Sequence, residues 1–237
     1  MLNDFKIIFT NPEAFNYVVE GFTNTLLVTV IAALIGLAIG FVVAIVKISA
    51  GQFKFMKIPA IICDVYTTVI RGTPVALQLF IMVFSLFAIR GFKPYAVILT
   101  FGINSGAYIS ENIRAGISST DSGQMEAGRA LGLSWTKTMI KIIMPQAIKN
   151  IIPAIGNEMI ALLKETAIVS MVGATVGTLT FDLNTASTTI YYAKNIGVSS
   201  YLSCAIVAGL LYLIVVYFMV WVVKLLERRM GRSERRH

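Results

Sequence analysis

The chain has 237 residues, 57% of them hydrophobic and 14% charged, with a formal net charge of +8. That much apolar surface is more than a soluble domain of this size needs, so the composition points to an integral membrane protein. The basic residues are scattered at the ends of apolar segments, a pattern that reports topology and excludes a nucleic-acid-binding stripe. His237 is the single histidine, so a histidine-based metal or catalytic centre is excluded. No Gly-x-x-x-x-Gly-Lys-Ser/Thr stretch occurs, so the chain does not cradle nucleotide phosphates itself. Cys63 and Cys204 each lie inside an apolar segment and read as packing residues.

In chain order, residues 1–21 form a mixed, amphipathic N-terminal lead-in with Asp4, Lys6, Pro12, Glu13 and Glu20. The first apolar run, 22–46, is long enough to span a bilayer and too long for a signal-peptide core. Gly36 and Gly40 within it form a small-xxx-small pair suited to close helix contact. Lys47, Lys54 and Lys57 follow. The second apolar stretch, 58–89, is too long for one straight span. Gly72-Thr73-Pro74 interrupts it, which predicts a broken helix with Thr73 as N-cap and Pro74 as first residue of the second piece. Arg90 and Lys93 flank a short turn. The third span, 94–113, carries Asn104, Tyr108 and Glu111 on one face. A polar interruption occupies 120–145. The fourth span, 150–173, carries Asn157, Glu158, Lys164 and Glu165. A polar segment at 177–200 precedes the last span, 201–223, and a basic tail fills 227–237.

The expected fold is therefore all-α and membrane-integral, with five transmembrane helices inside a domain covering 22–226. Of the twenty Lys and Arg residues, fourteen fall in the segments on one side and four on the other. Basic residues concentrate in cytoplasmic segments, which predicts an outside N-terminus and an inside C-terminus.

The interruption at 120–145 predicts a helix–glycine–helix elbow. Asp121 or Ser122 caps a short helix starting near Gly123, and Gly132 stops it in a left-handed conformation. Ser134 caps a second short helix expected to end before Pro145. On the first helix, Met125, Ala127, Ala130 and Leu131 offer small apolar contacts, with Glu126 and Arg129 exposed. That shape suits a knob docking into a soluble partner. It equally suits an amphipathic connector lying on the membrane.

Ionisable residues inside spans are costly, on the order of 3 kcal/mol each, so they line a cavity or pair with one another. Asp64, Thr68 and Arg71 share one helical face and lead to the break at Gly72-Thr73-Pro74. A half-helix starting there aims free N–H groups at the gap, and Arg71 adds a fork that matches a carboxylate. Two readings stand: a seat for an α-carboxylate, or Arg71 neutralising Asp64 or Glu165. On the fourth span, Glu158 and Glu165 nearly superpose, while Asn157 and Lys164 lie about 100° around the helix. Those carboxylates either meet a substrate cation or join an interhelical network with Glu111, Asn104 and Arg71.

Glu126-Ala127-Gly128, then Gly132, Ile142 and Met144-Pro145, resemble the cytoplasmic loop signature of ABC importer permeases, with Gly128 in place of Ala and Met144 in place of Leu. Arg71-Gly72-Thr73-Pro74, Asn104-Ser105, Gly156-Asn157-Glu158 and Leu162-Leu163-Lys164-Glu165-Thr166 resemble the polar amino-acid branch of the type I importers. The resemblance covers about 17–228. It implies a non-enzymatic permease subunit that imports a polar amino acid across a prokaryotic cell membrane, with a coupling helix between spans three and four. Gln124, Met125, Glu126, Ala127, Arg129, Ala130, Leu131 and Gly132 would meet the ATPase. Arg71, Gly72, Thr73, Asn104, Tyr108, Asn157, Glu158, Ala161, Lys164 and Glu165 form the candidate substrate site. The implied partners are a dimer of ATP-binding cassette subunits holding ATP and Mg, a second permease subunit (identical or a close paralogue), an extracytoplasmic amino-acid-binding protein and membrane lipid. A proton-coupled secondary amino-acid transporter, with Glu158, Glu165 and Lys164 as relay, is the alternative.

Overall fold

Long apolar runs form the helices, and polar caps or glycines fix where several of them stop. The structure is a computed structural model that describes residues 1–88, 92–173, 179 and 181–231; Arg90 and the tail residues Arg232, Arg235 and Arg236 lie outside these. No strand occurs among the described residues. The helices are α1 (Leu2–Thr10), α2 (Pro12–Ser49), α3 (Lys57–Gly72), α4 (Val75–Ile81), α5 (Lys93–Ser118), α6 (Ser122–Ala130), α7 (Trp135–Thr138), α8 (Met144–Glu165), α9 (Leu183–Tyr192) and α10 (Tyr201–Gly231).

Among the described residues, α2 and α10 are long and apolar enough to cross a membrane, and α3 with α4 make a third such span if the bent pair counts as one. The 38 residues of α2 reach about 57 Å, well beyond a hydrocarbon core of about 30 Å. At 26 and 22 residues, α5 and α8 are also long enough, but residues such as Asn104, Glu111, Asn157 and Glu158 interrupt their apolar runs.

The chain divides into two compact units. One comprises Met1–Ala33, Val75–Phe101 and Ile160–Phe218. Its core joins Ile8 of α1, Ala14 and Val18 of α2, Leu183 and Ile190 of α9, and Cys204, Val207 and Ala208 of α10. The expected lead-in is thus two helices. Asn11 separates them, its side chain accepting from Glu13 and Ala14 N–H, and α2 begins at Pro12 rather than near Phe22. Asp4 is buried and pins α1 in place. Its carboxylate accepts from the Ser199 N–H at 3.2 Å, the Ser199 hydroxyl at 2.9 Å and the Ser203 hydroxyl at 3.0 Å. These bonds, led by the Ser199 N–H, hold the Asp4 carboxyl below its ordinary value.

The other unit comprises Leu34–Pro74, Gly102–Met159 and Met219–His237. Here α2 and α5 approach closely through the predicted glycines. A Cβ added at Gly40 would lie 2.6 Å from the Ile109 side chain, and one at Gly36 would lie 3.0 Å from Ser105. Ala44, Ile109, Ile113, Ala147 and Ile151 pack as the core of α2, α5 and α8. A charged cluster ties α2, α3 and α5 together. The Lys47 ammonium lies 2.6 Å from Glu111 and 2.8 Å from Asp64, and donates to the Thr67 hydroxyl at 3.0 Å. Arg114 closes on the second Glu111 oxygen at 2.9 Å. Lys47 at the end of α2 is therefore no solvated loop cation but the shared partner of two carboxylates. Glu111 is 15% exposed and Asp64 61% exposed, so Glu111 depends more on that partner.

Two outcomes are expected. Lys47→Met leaves the Glu111 carboxylate with Arg114 alone and costs about 2 kcal/mol of stability; in thermal unfolding of the detergent-solubilised protein, adding Glu111→Gln should restore more than half of the loss. Because the Asp4 carboxyl is held low, docking of α1 is complete above the ordinary aspartate range and is lost as pH falls through the lowered value. Asp4→Asn should speed hydrogen exchange of the α1 amides at neutral pH, and acidification should do the same in the parent chain.

Candidate functional site

The elbow forms as its capping residues dictate. Asp121 is the N-cap of α6 and accepts from the Gly123 N–H at 2.9 Å. At the other end the helix closes in a Schellman arrangement. Leu133 N–H donates to Gly128 C=O at 3.1 Å, and Gly132 N–H donates to Arg129 C=O at 3.0 Å. Gly132 takes φ +81, with nothing within 4 Å of an added Cβ, so conformation and not space demands glycine there. Arg129 reaches forward to the Leu133 carbonyl at 3.1 Å, which adds a cation at the negative end of the helix. Ser134 caps α7, accepting from the Lys137 N–H at 3.3 Å.

Beyond α7 the expectation fails. The second short helix does not end before Pro145; a π-helical turn at Met139–Ile143 leads directly into α8, which starts at Met144. Pro145 falls in the first turn of α8 directly after the π turn, a local adjustment of the kind that accommodates a missing helical N–H. Gly128, in place of alanine, also has a cause: a Cβ there would meet the buried Thr138 Cγ2 at 2.5 Å. Of the coupling candidates, Glu126, Ala127, Arg129, Ala130, Leu131 and Gly132 are exposed, with Leu131 at 82%, while Gln124 and Met125 are half-buried.

The second helix breaks where the sequence places the break. Gly72 ends α3, Thr73 is extended at φ −118 and ψ 146, and α4 begins at Val75, one residue later than predicted. Thr73 stands at the C-cap of α3, its hydroxyl donating back to the Val69 carbonyl at 2.8 Å. Arg71 and Gly72 are exposed, and the Arg71 guanidinium carbon lies 5.3 Å from the centre of the Tyr108 ring, a cation–π contact. Asp64 and Glu111 instead go to Lys47, so the expected neutralisation of Arg71 by Asp64 gives way to a lysine nearer in space. Asn104 is buried. On α8, Asn157 is exposed and Glu158 half-buried. In the other unit, Lys164 is exposed while Ala161 and Glu165 are half-buried. Sequence reasoning missed Lys47 as the partner of carboxylates on two other helices, a contact that no local pattern signals.

Residues 36–232 match the family described as binding-protein-dependent transport system inner membrane component. The arginine transport system permease protein ArtQ of Bacillus subtilis is 40% identical over 222 residues, covering 92% of this chain and 94% of the relative. A putative glutamine transport system permease protein GlnP of Rickettsia bellii is 37% identical over 217 residues, covering 90% and 93%. The crystal structure of an amino acid ABC transporter with histidines superposes with a TM-score of 0.79 at 34% identity, over 92% of this chain and 95% of that one. The chain is a member of the binding-protein-dependent transport system inner membrane component family.

Proposed function

We propose that this permease subunit imports a polar amino acid, with force for the cycle delivered at the α6 elbow by a separate ATPase subunit. The observation that carries the reading is likeness along nearly the whole chain to permeases whose names specify amino acids. A binding-protein-dependent family removes the need for a proton relay, so Glu158, Lys164 and Glu165 are assigned to the substrate path. Five spans run N-outside to C-inside in the prokaryotic plasma membrane, with α3 and α4 as the broken second span and 120–145 on the cytoplasmic side. A second permease subunit completes the path, ATP and Mg sit on the ATPase dimer, and an extracytoplasmic binding protein delivers the solute.

At the break, the Arg71 guanidinium fork receives the α-carboxylate. Tyr108 holds the guanidinium from one face and leaves its edge to donate. Buried Asn104 limits that wall of the path. In the unit that holds Arg71, the residues Asn157, Glu158, Gly72 and Thr73 are assigned to the ammonium group or the side chain of the substrate; in the other unit, Ala161, Lys164 and Glu165 are assigned to the substrate path. At the elbow, the exposed Leu131 and the small residues Ala127 and Ala130 form the knob, with Glu126, Arg129, Gln124 and Met125 around it and Gly132 setting its end. Because α6 closes on Gly128 and Thr138, a push on the knob reaches α8 through α7 and the π turn.

Two measurements test this. In proteoliposomes containing the assembled importer, Glu158→Gln should lower amino-acid uptake at least tenfold with assembly intact; unchanged uptake removes Glu158 from the path. Gly128→Ala should lower uptake several-fold by forcing α6 off Thr138. Adding Thr138→Ala leaves the Thr138 Cβ position at 3.2 Å and should recover much of it, whereas no recovery would show that the packing is not what matters.

A further inference from the structure

A cavity of about 300 Å³ opens between the second half of α2, the end of α5 and the α7 to α8 junction. Phe41, Ile45, Ile113, Trp135, Ile140 and Met144 contribute to its walls, and the hydroxyls of Ser49 and Thr136 and the indole N–H of Trp135 are the polar groups among the lining side chains. Its edge is open: Phe41, Ile45 and Ile140 are 51%, 45% and 62% exposed. We infer that this groove holds one acyl chain of an anionic glycerophospholipid, whose phosphate is read by Lys54, Lys137 and Lys141.

The size fits. At roughly 30 Å³ for a group as small as a water or a methylene, the cavity takes about ten methylenes. The rim fits as well. Trp135 stands edge-on to Phe53, ring centres 5.9 Å apart, and such rings settle at the headgroup level of a bilayer. Lys54 follows Phe53, while Lys137 and Lys141 adjoin the lining residues Thr136 and Ile140, and all three are exposed. Charge is one-sided here. Residues 48–63 hold Lys54 and Lys57 with no acidic residue, and residues 130–157 hold Lys137, Lys141 and Lys149 with none. Basic clusters beside a membrane-embedded groove attract anionic headgroups. The apolar walls alone give no selectivity, because the surrounding lipid tails are equally apolar. Discrimination therefore has to come from the lysines, which makes headgroup charge the property to vary. The inference needs the chain to lie in a membrane, as its family dictates, and is independent of the substrate and orientation proposed above.

The chain has two tryptophans, so Trp221→Phe leaves Trp135 as a reporter in the groove wall. The full chain in nanodiscs would be titrated with acyl-brominated phosphatidylglycerol or phosphatidylcholine at equal mole fraction. Expected is stronger Trp135 quenching by the phosphatidylglycerol, with the preference falling about five-fold for Lys137→Gln and again for Lys141→Gln. Native mass spectrometry of the delipidated parent chain, read for retained phosphatidylglycerol, gives the same comparison without a tryptophan change. Equal quenching by both lipids, or a preference indifferent to the lysines, overturns the inference. So does protection of Trp135 from both lipids with a cross-link from Thr136→Cys to a second copy or another protein, since that would mean protein fills the groove.

Discussion

A single residue, Gly132, turns left, and the protruding elbow depends on it. With φ at +81, the chain completes the Schellman closure of α6, leaves Leu131 exposed as a knob and restarts as α7 on Ser134. For an L-residue with a Cβ the same turn costs about 1–2 kcal/mol, and β-branched residues are the worst placed. The closure also fixes how near α6 lies to α7, near enough that Gly128 has no room for a methyl beside Thr138. A stiff elbow passes on a displacement; a frayed one absorbs it. That makes the short polar interruption, rather than the apolar helices, the part of this chain suited to receive work from outside.

Charge inside the helical bundle follows a different logic. Lys47 satisfies Glu111 and Asp64 together, with Arg114 on the outer Glu111 oxygen, so two cations and two anions balance. This neutral cluster leaves Arg71 apart from Asp64, resting on the face of Tyr108. An aromatic face steadies a guanidinium without consuming its five donors, so the fork stays available to a carboxylate. The structural pairing and the proposed substrate contact are thus divided between different residues, where the sequence alone left them competing.

Much of the elbow was legible because capping is local. Asp121, Gly132 and Ser134 each act within four residues, and each behaves as its chemistry requires. The break at Gly72–Pro74 was legible for the same reason, although Thr73 closes α3 instead of opening α4. The small-xxx-small pair at Gly36 and Gly40 found its close neighbour in α5. What escaped was non-local. Lys47 sits 17 positions from Asp64 and 64 from Glu111, and no spacing rule joins them. The lead-in was expected, but its clamp, Asp4 on Ser199 and Ser203, was not, because that contact spans nearly the whole chain. Pro145 misled in another way: read as a stop, it lies in the first turn of α8 instead, after a π turn that local rules do not anticipate.

The central claim is that the elbow transmits a partner's nucleotide-driven motion, and its geometry at Gly132 separates transmission from binding. Asparagine tolerates the left-handed region; valine does not. The decisive measurement is ATP-driven amino-acid uptake, read together with ATP hydrolysis, in proteoliposomes carrying the assembled importer with Gly132→Asn or Gly132→Val. The account predicts near-parental uptake for asparagine, and for valine at least a tenfold loss of uptake per ATP hydrolysed with the ATPase subunits still bound. Parental uptake by the valine variant, or uptake by the permease with no ATPase subunit present, would contradict it.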